Sequence, residues 1–445
     1  LFGEIFRKIF HRQKGCCIMK ILIYSLNHKP EKTGIGKYNG ELAENLVKKG
    51  IETEVLCAPP YYPEWTVSSP YSTKRYTTEL LDGAKVYRCP VYVPKQPSTI
   101  KRLLHLGSFA FCSALKLLTL FKKKYDFIFL VQPTFFCAPF ALLFCKLTGT
   151  KLVMHIQDYE LDAMLGLGMA GDGTLAKLLR KVESWFLKRM DVVSSISFSM
   201  LERAKQKGVP EDRLVFFPNW SDINFVSPQT PSQEFRERIG IEPSEKIVLY
   251  AGNMGKKQGL EIILDAAKEF SDDEKVRFLL VGAGAQAQEL KETTKQLGLT
   301  NVSYLPLQAW EDVPAMLAMA DVHLVIQKKG AADAVLPSKL TNILAAGGNS
   351  IVTAEAGTEL GIIHEKNPGI YTLVEPENPE AFILALRENL ELVSNAHNEV
   401  ARTYAENNLD KHAIIESFIF DVKYKLDLLD DDESGLNTRK LESLI

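Results

Sequence analysis

Hydrophobic positions fall into short β-rich runs that alternate with stretches of helical spacing along most of the chain. From Met19, MKILIYSL reads as a strand, and residues 40–49 (GELAENLVKK) as a helix stopped by Gly50. ETEVLCAP and KVYRCPVY are further strands, 102–121 a long helix, and DFIFLVQP a buried strand. A helix through Leu147, the strand KLVMHIQD, a helix over 175–189 and the strands DVVSSIS and RLVFFPN follow. This alternation predicts a doubly wound parallel sheet.

After FFPNWSD (216–222) comes a polar, Pro-rich stretch, SPQTPSQ (227–233), and a second alternating series opens at KIVLYAGN. The spacing therefore predicts an α/β protein of two Rossmann-like domains facing a cleft, over 19–225 and 226–396. Residues 397–428 read as helices crossing back to the first domain, and 429–445 as an acidic tail. Both sheets would turn the carboxyl ends of their strands toward the ligand.

Composition narrows the function more than the fold. At 445 residues the chain exceeds one ordinary domain, and 46% hydrophobic with 24% charged residues suits sizeable cores. A net charge of −2 argues against a globally basic nucleic-acid binder. Seven cysteines, none in a C-x-x-C pair, give neither a zinc pattern nor a secreted disulfide framework, which points to the cytoplasm. No apolar run reaches the roughly 20 residues that span a bilayer. Two segments read instead as basic and amphipathic. Residues 1–18 are either an interfacial helix or an extension ahead of Met19, and 95–124 carries seven Lys/Arg, no acid and many apolar residues. The second predicts contact with a membrane surface, against the plainer reading of an ordinary helix with lysine ends.

Five stretches could carry chemistry. In LPSKLTNILAAGG (336–348), Pro337 feeds a helix whose first turn holds Ser338, Lys339 and Leu340. Free amides at that end favour a phosphate, and Lys339 adds a full charge. YAGNMGKKQGLE (250–261) places Gly252, Asn253, Gly255, Lys256, Lys257 and Gln258 between strand and helix, suited to a diphosphate or to a plain surface turn. HIQDYELD puts His155, Asp158, Glu160 and Asp162 just after a buried strand, where they orient sugar hydroxyls, accept a proton or merely cap a helix. In the first domain, GIGKY offers Gly34, Gly36 and Lys37 at a helix start, and APPYYPEW offers Tyr61, Tyr62 and Trp65 to a sugar face or to packing. Metal-ligand spacing is absent from the sequence.

Taken together, GIGKY, PNWSD, YAGNMG-x-x-QGLE, LVGAG and LPSKLTNILAAGG with AEAGTELG resemble the retaining GT4 glycosyltransferases of GT-B fold. The likeness runs from Met19 to about Leu428. RCPVYVPKQPSTIKRLLHLGSFA and HIQDYELDAMLGLG are similar to a narrower group, the fucosyltransferases of colanic-acid biosynthesis. The resemblance implies a nucleotide-sugar donor, GDP-fucose for that group, bound by the second domain without a metal cofactor. It implies a lipid-diphosphate-linked glycan as acceptor on the first domain, and work at the cytoplasmic face of the plasma membrane. Its donor site would draw on the 252–258 loop, on Asp333, Pro337, Ser338, Lys339, Leu340 and Asn342, and on Leu305 and Leu307 as a wall for the base. His155 and Asp158 would orient the reacting groups. This sequence departs from the family pattern at Asn253 and Gln258, where Arg and Lys are usual, and at Ala334 and Asn342, where glutamates are usual.

Overall fold

A computed structural model describes residues 18–31, 34–96, 98–132, 135–159, 174–256, 258–329, 337–392 and 397–429. Residues 1–17, Glu160, Asp162, Lys257, Asp333, Ala334 and the tail from 430 lie outside them. The chain divides into two compact units, and only part of that division follows the predicted boundaries.

The first unit is built on β1 (Lys20–Tyr24), β2 (Glu52–Cys57), β3 (Thr77–Leu81), β4 (Ala84–Arg88) and β5 (Phe127–Val131). It continues through β6 (Lys151–Ile156), β7 (Val192–Ser195) and β8 (Leu214–Phe216). The sheet order is β3-β4-β2-β1-β5-β6-β7-β8, parallel except for the β3–β4 hairpin. Its helices are α1 (Gly34–Lys48), α2 (Thr99–Thr119), α3 (Ala138–Thr148), α4 (Thr174–Leu187) and α5 (Phe198–Gln206). The central strands are apolar at nearly every position because helices cover both faces. β3 escaped the sequence reading because its pattern, TTELL, is half polar and largely exposed at the sheet edge. The Asp82-Gly83 pair behind it was the available hairpin signal. α1 starts at Gly34, six residues before the predicted start, so the GIGKY glycines form its first turn.

The second unit holds β9 (Lys246–Ala251), β10 (Val276–Val281), β11 (Val302–Leu305), β12 (Val322–Val325), β13 (Ser350–Thr353) and β14 (Thr372–Val374). All run parallel in the order β11-β10-β9-β12-β13-β14. Around them lie α6 (Gln233–Arg238), α7 (Glu261–Glu269), α8 (Ala287–Gln296) and α9 (Val313–Ala318). α10 (Ser338–Ala345), α11 (Glu359–Lys366), α12 (Pro379–Leu392) and α13 (Glu399–Asn408) complete the unit.

Two boundaries differ from the sequence expectation, each for a packing reason. The second unit begins at Pro218, not 226. There Ser221 donates to Asn342 Oδ1 at 2.8 Å and Val226 joins the second core. Nor do all residues from 397 return to the first unit. Ala401, Ala405 and Leu409 sit in the second core, and the Arg402 guanidinium donates to the carbonyls of Ile223, Val226 and Ala345. The chain rejoins the first unit only from Ile415, within α14 (Lys411–Lys425), where Phe418 stacks on Phe217 at 3.8 Å and meets Phe129 edge-on.

Candidate active site

In the second sheet the strand order reverses between β9 and β12: β10 and β11 follow on one side of β9, β12 and its successors on the other. Open α/β sheets bind ligands outside the carboxyl ends of strands at such a switch point. The segment leaving β9 there is the glycine loop Gly252–Leu260, and the one leaving β12 is Ile326–Lys329.

The glycine loop is zipped to the turn after β10. Gly252 N donates to Val281 O, Met254 N to Ala283 O and Gln286 N to Met254 O, each at 2.9 Å. A Cβ on Gly282, where φ is +142°, would lie 2.0 Å from Gly252 O, so the G-A-G turn is a scaffold for the loop. Tyr250 Oη donates to Asn253 O at 2.7 Å and turns the tyrosine ring toward α10. Lys339 completes the arrangement from α10. Its Nζ lies 3.8 Å from the Tyr250 ring centroid and would stand 3.6 Å from a Cβ on Gly252. That amine is buried and has no hydrogen-bond partner among the described residues. Burial pulls its pKa down to about 7. The π face offsets part of the desolvation, and an arriving anion would supply the missing partner.

The neighbouring groups sort into those that can reach an anion and those the fold has used. Ser338 is exposed, and its amide and that of Lys339 have no intrahelical acceptor. Leu340 is withdrawn: its amide donates to Pro337 O at 2.9 Å and its side chain lies in the core. Lys256 and Asn253 are exposed. Gln258 does not replace the family's cation, since its Oε1 accepts from Gly255 N at 3.1 Å and closes the loop. Asn342 Oδ1 is taken by Ser221. Leu305 packs against the core, while Leu307 stands half exposed beyond β11. Lys328 was missed by the sequence reading. Its stem crosses Gly259, where a Cβ would meet its Cε at 2.9 Å, so the switch point carries a cation from β12 as well. Only the strand order could have shown this.

In the first unit the reversal falls between β1 and β5. Glu31, absent from the sequence-derived candidates, organises the segment after β1. Its buried carboxylate accepts from Tyr61 N at 3.0 Å, Tyr62 N at 3.1 Å and Asn27 Nδ2 at 2.9 Å, tying the aromatic loop to the end of β1. Burial raises the pKa of this acid. Gly36 is needed by Glu31, because a Cβ there would sit 2.5 Å from Oε2. Gly34 is exposed at the start of α1, whereas Lys37 pairs with Glu41 and lies over Tyr38. Tyr61 is buried against Trp65 and His105, at 5.3 and 4.7 Å between rings, which removes it as a sugar platform. Tyr62 and Trp65 keep exposed surface.

His155 cannot be an open catalytic base. It is 2% exposed, packed on Phe129 and Phe217. Its Nε2 accepts from Gln157 Nε2 at 2.9 Å, which leaves the proton on Nδ1, donated to Ser194 Oγ at 3.0 Å. Burial pushes its pKa down to about 3, so the ring is a neutral core group. Asp158, on the segment after β6, remains partly exposed.

Residues 33–220 match the glycosyl transferase 4-like domain and residues 231–407 the glycosyl transferases group 1 domain. The chain is 50% identical over 410 residues to the putative colanic acid biosynthesis glycosyl transferase WcaI of Escherichia coli, covering 91% of this chain and all of that one. The chain belongs to the GT4 glycosyltransferases.

A more distant relative, the probable glycosyltransferase WbjE of Pseudomonas aeruginosa, is 26% identical over 61% of this chain and 67% of its own length. Among solved structures, the GT-B fold is shared with WaaG, a glycosyltransferase involved in lipopolysaccharide biosynthesis (TM-score 0.62, 14% identity, 89% of this chain and 97% of that one). It is shared too with Anabaena HepE, solved in complex with UDP and glucose (TM-score 0.66, 17% identity, 91% and 100%). Within this GT4 chain, no group of three or more His, Cys, Asp or Glu side chains among the described residues could hold a metal ion.

Proposed function

We propose that this glycosyltransferase moves L-fucose from GDP-fucose onto a lipid-diphosphate-linked glycan during assembly of a colanic-acid-like exopolysaccharide, with retention and without a metal cofactor. The observation that carries the reading is the 50% identity to WcaI along that protein's whole length. The geometry at the second switch point supports it. A buried amine without a partner, two amides of a helix end and a second lysine stem surround a glycine loop, a set suited to a leaving diphosphate. Charge developing on the diphosphate as the C1–O bond breaks is met by Lys339 and Lys328, and a donor phosphate oxygen takes the acceptor's proton on the same face.

The acceptor and the membrane belong to the first unit in this reading. Ile100, Leu104, Phe111, Leu115 and Leu118 on α2 are exposed, as are Phe140, Leu143 and Leu147 on α3. Lys101, Arg102, Lys116 and Lys146 accompany them on these helices, which contain no acid. No helix among the described residues is long and apolar enough to cross a membrane. A basic layer with this much exposed apolar surface fits peripheral attachment to an anionic leaflet. The Phe111→Asp/Leu118→Asp double variant should lose vesicle binding roughly tenfold or more, with unfolding little changed because both side chains are exposed. Co-sedimentation with anionic vesicles measures it.

The donor is tested by calorimetric titration with GDP, UDP and their fucosyl or N-acetylhexosaminyl forms in EDTA. Selective binding of GDP and GDP-fucose upholds the reading, and a preference for UDP moves the donor to a UDP-sugar. Binding that appears only on adding a divalent cation would overturn the metal-free mechanism.

A further inference from the structure

A second basic site lies in the first unit, between the C-terminal half of α4 and the turn after α5. It is a concavity of about 480 Å³. Arg180, Lys181, Lys188, Arg189 and Lys207 line it, and among the described residues no carboxylate does. Glu183, buried behind it, pairs with Lys207. Arg180, Lys181, Lys188 and Arg189 come from α4 and the turn that follows it, and Lys207 closes the hollow from the turn after α5.

Two of these cations are held in place before any ligand arrives. The Arg189 guanidinium lies 3.6 Å from the Trp185 ring centroid and donates from Nη1 to Trp185 O at 2.8 Å. Lys188 folds against Gly208, where φ is +91° and a Cβ would come within 2.8 Å of its Nζ. Side-chain entropy that an anion would otherwise have to remove is therefore already spent.

The apolar residues that α4 exposes identify the kind of anion, and Trp185 among them lines the hollow. Leu178, Val182 and Trp185 recur at i, i+4 and i+7 on α4, and all three are exposed. A soluble anion has no use for an apolar surface with an indole, whereas a headgroup arrives with acyl chains beside it. α4 also lies beside α3, since its Phe186 packs edge-on at 5.6 Å against Phe135, in the turn that opens α3.

We infer that this pocket binds the phosphate of an anionic phospholipid headgroup while Leu178, Val182 and Trp185 enter the acyl boundary. The inference rests on the peripheral-membrane reading above and adds to it a specific site for the headgroup phosphate. The test is co-sedimentation of the full chain with phosphatidylcholine vesicles, with and without phosphatidylglycerol, comparing wild type with Lys181→Gln/Arg189→Gln. Both substituted side chains are exposed, so the thermal unfolding midpoint should hold, and GDP affinity should be unchanged.

The expected result is that the variant loses about tenfold or more of its phosphatidylglycerol-dependent binding and keeps its weaker binding to phosphatidylcholine. Wild-type binding to anionic vesicles that the double substitution leaves intact would overturn the pocket while sparing the membrane reading. Displacement of wild type by soluble glycerol phosphate at matched phosphate concentration would overturn the lipid assignment in favour of a free-anion site. Failure of wild type to bind either vesicle would overturn both readings.

Discussion

Lys339→Met should weaken binding of nucleoside diphosphates by about 1–3 kcal/mol, the cost of losing a charge-assisted bond, and leave nucleoside binding nearly unchanged. The variant should also lose a pH dependence that wild type shows. In the free protein the amine titrates near 7, because its Nζ is buried without a partner. The charged form binds the diphosphate, so binding raises this pKa and takes up a proton. Wild-type affinity should then fall, by up to about tenfold per pH unit, as pH rises above about 7. Calorimetry at about pH 6.5 and about pH 8.5, in buffers of different ionisation enthalpy, reads both the slope and the proton. Identical slopes in variant and wild type would remove Lys339 from the site.

The same substitution should not destabilise the empty protein. A lysine whose folded pKa lies below its unfolded value binds fewer protons when folded, so it opposes folding wherever it is charged. Removing that amine relieves a cost while it weakens the ligand. Stability and affinity moving in opposite directions distinguishes a binding group from a structural one.

Acid should destabilise the protein steeply, through three buried histidines. His28 and His155 have pKa values pushed down to about 3 and His323, on β12, to about 4, in each case chiefly by burial. Arg88 and Lys29 push further in the same direction at His28. Unfolded, each would titrate near 6.5. Between the folded and unfolded values the unfolded chain binds more protons, so stability rises with pH across that window and levels off above about 6.5. Each histidine contributes a slope of up to about 1.4 kcal/mol per pH unit. Chemical denaturation at about pH 7, about pH 5.5 and about pH 4.5 should show midpoints falling with pH. His155→Gln should flatten part of that fall. The imidazole C–H resonances of the three should not move above about pH 5, and movement near the ordinary histidine range would contradict their burial.

The sequence made the sheets readable because strand-forming runs such as FIFLV and the IVLYA of β9 lack charged residues, which strands covered on both faces require. The GT4 resemblance was equally legible, since its motifs are contiguous strings, and the family match and the WcaI relative carry it. Elements marginal in hydrophobicity were not legible. β3 is a polar edge strand and β14 has three residues, so neither produces a long enough pattern.

The sequence by itself determined the two-sheet α/β plan, the glycine loop after β9, the Pro-Ser-Lys helix start and the basic, apolar character of α2. These are local properties, set by periodicity and by which residues follow a strand. Only the tertiary structure decided which polar groups are used internally. It placed His155 and Tyr61 in the interior, gave the amide of Leu340 to Pro337 and closed the glycine loop with Gln258. It also brought Lys328 from β12 beside a loop from β9, and gathered cations from α4 and the turn after α5 into one pocket. The physical reason is that burial and convergence depend on strand order and on the helices that cover each strand. Residues 259 and 328 are neighbours because β9 and β12 pair, a non-local fact that no window of sequence contains.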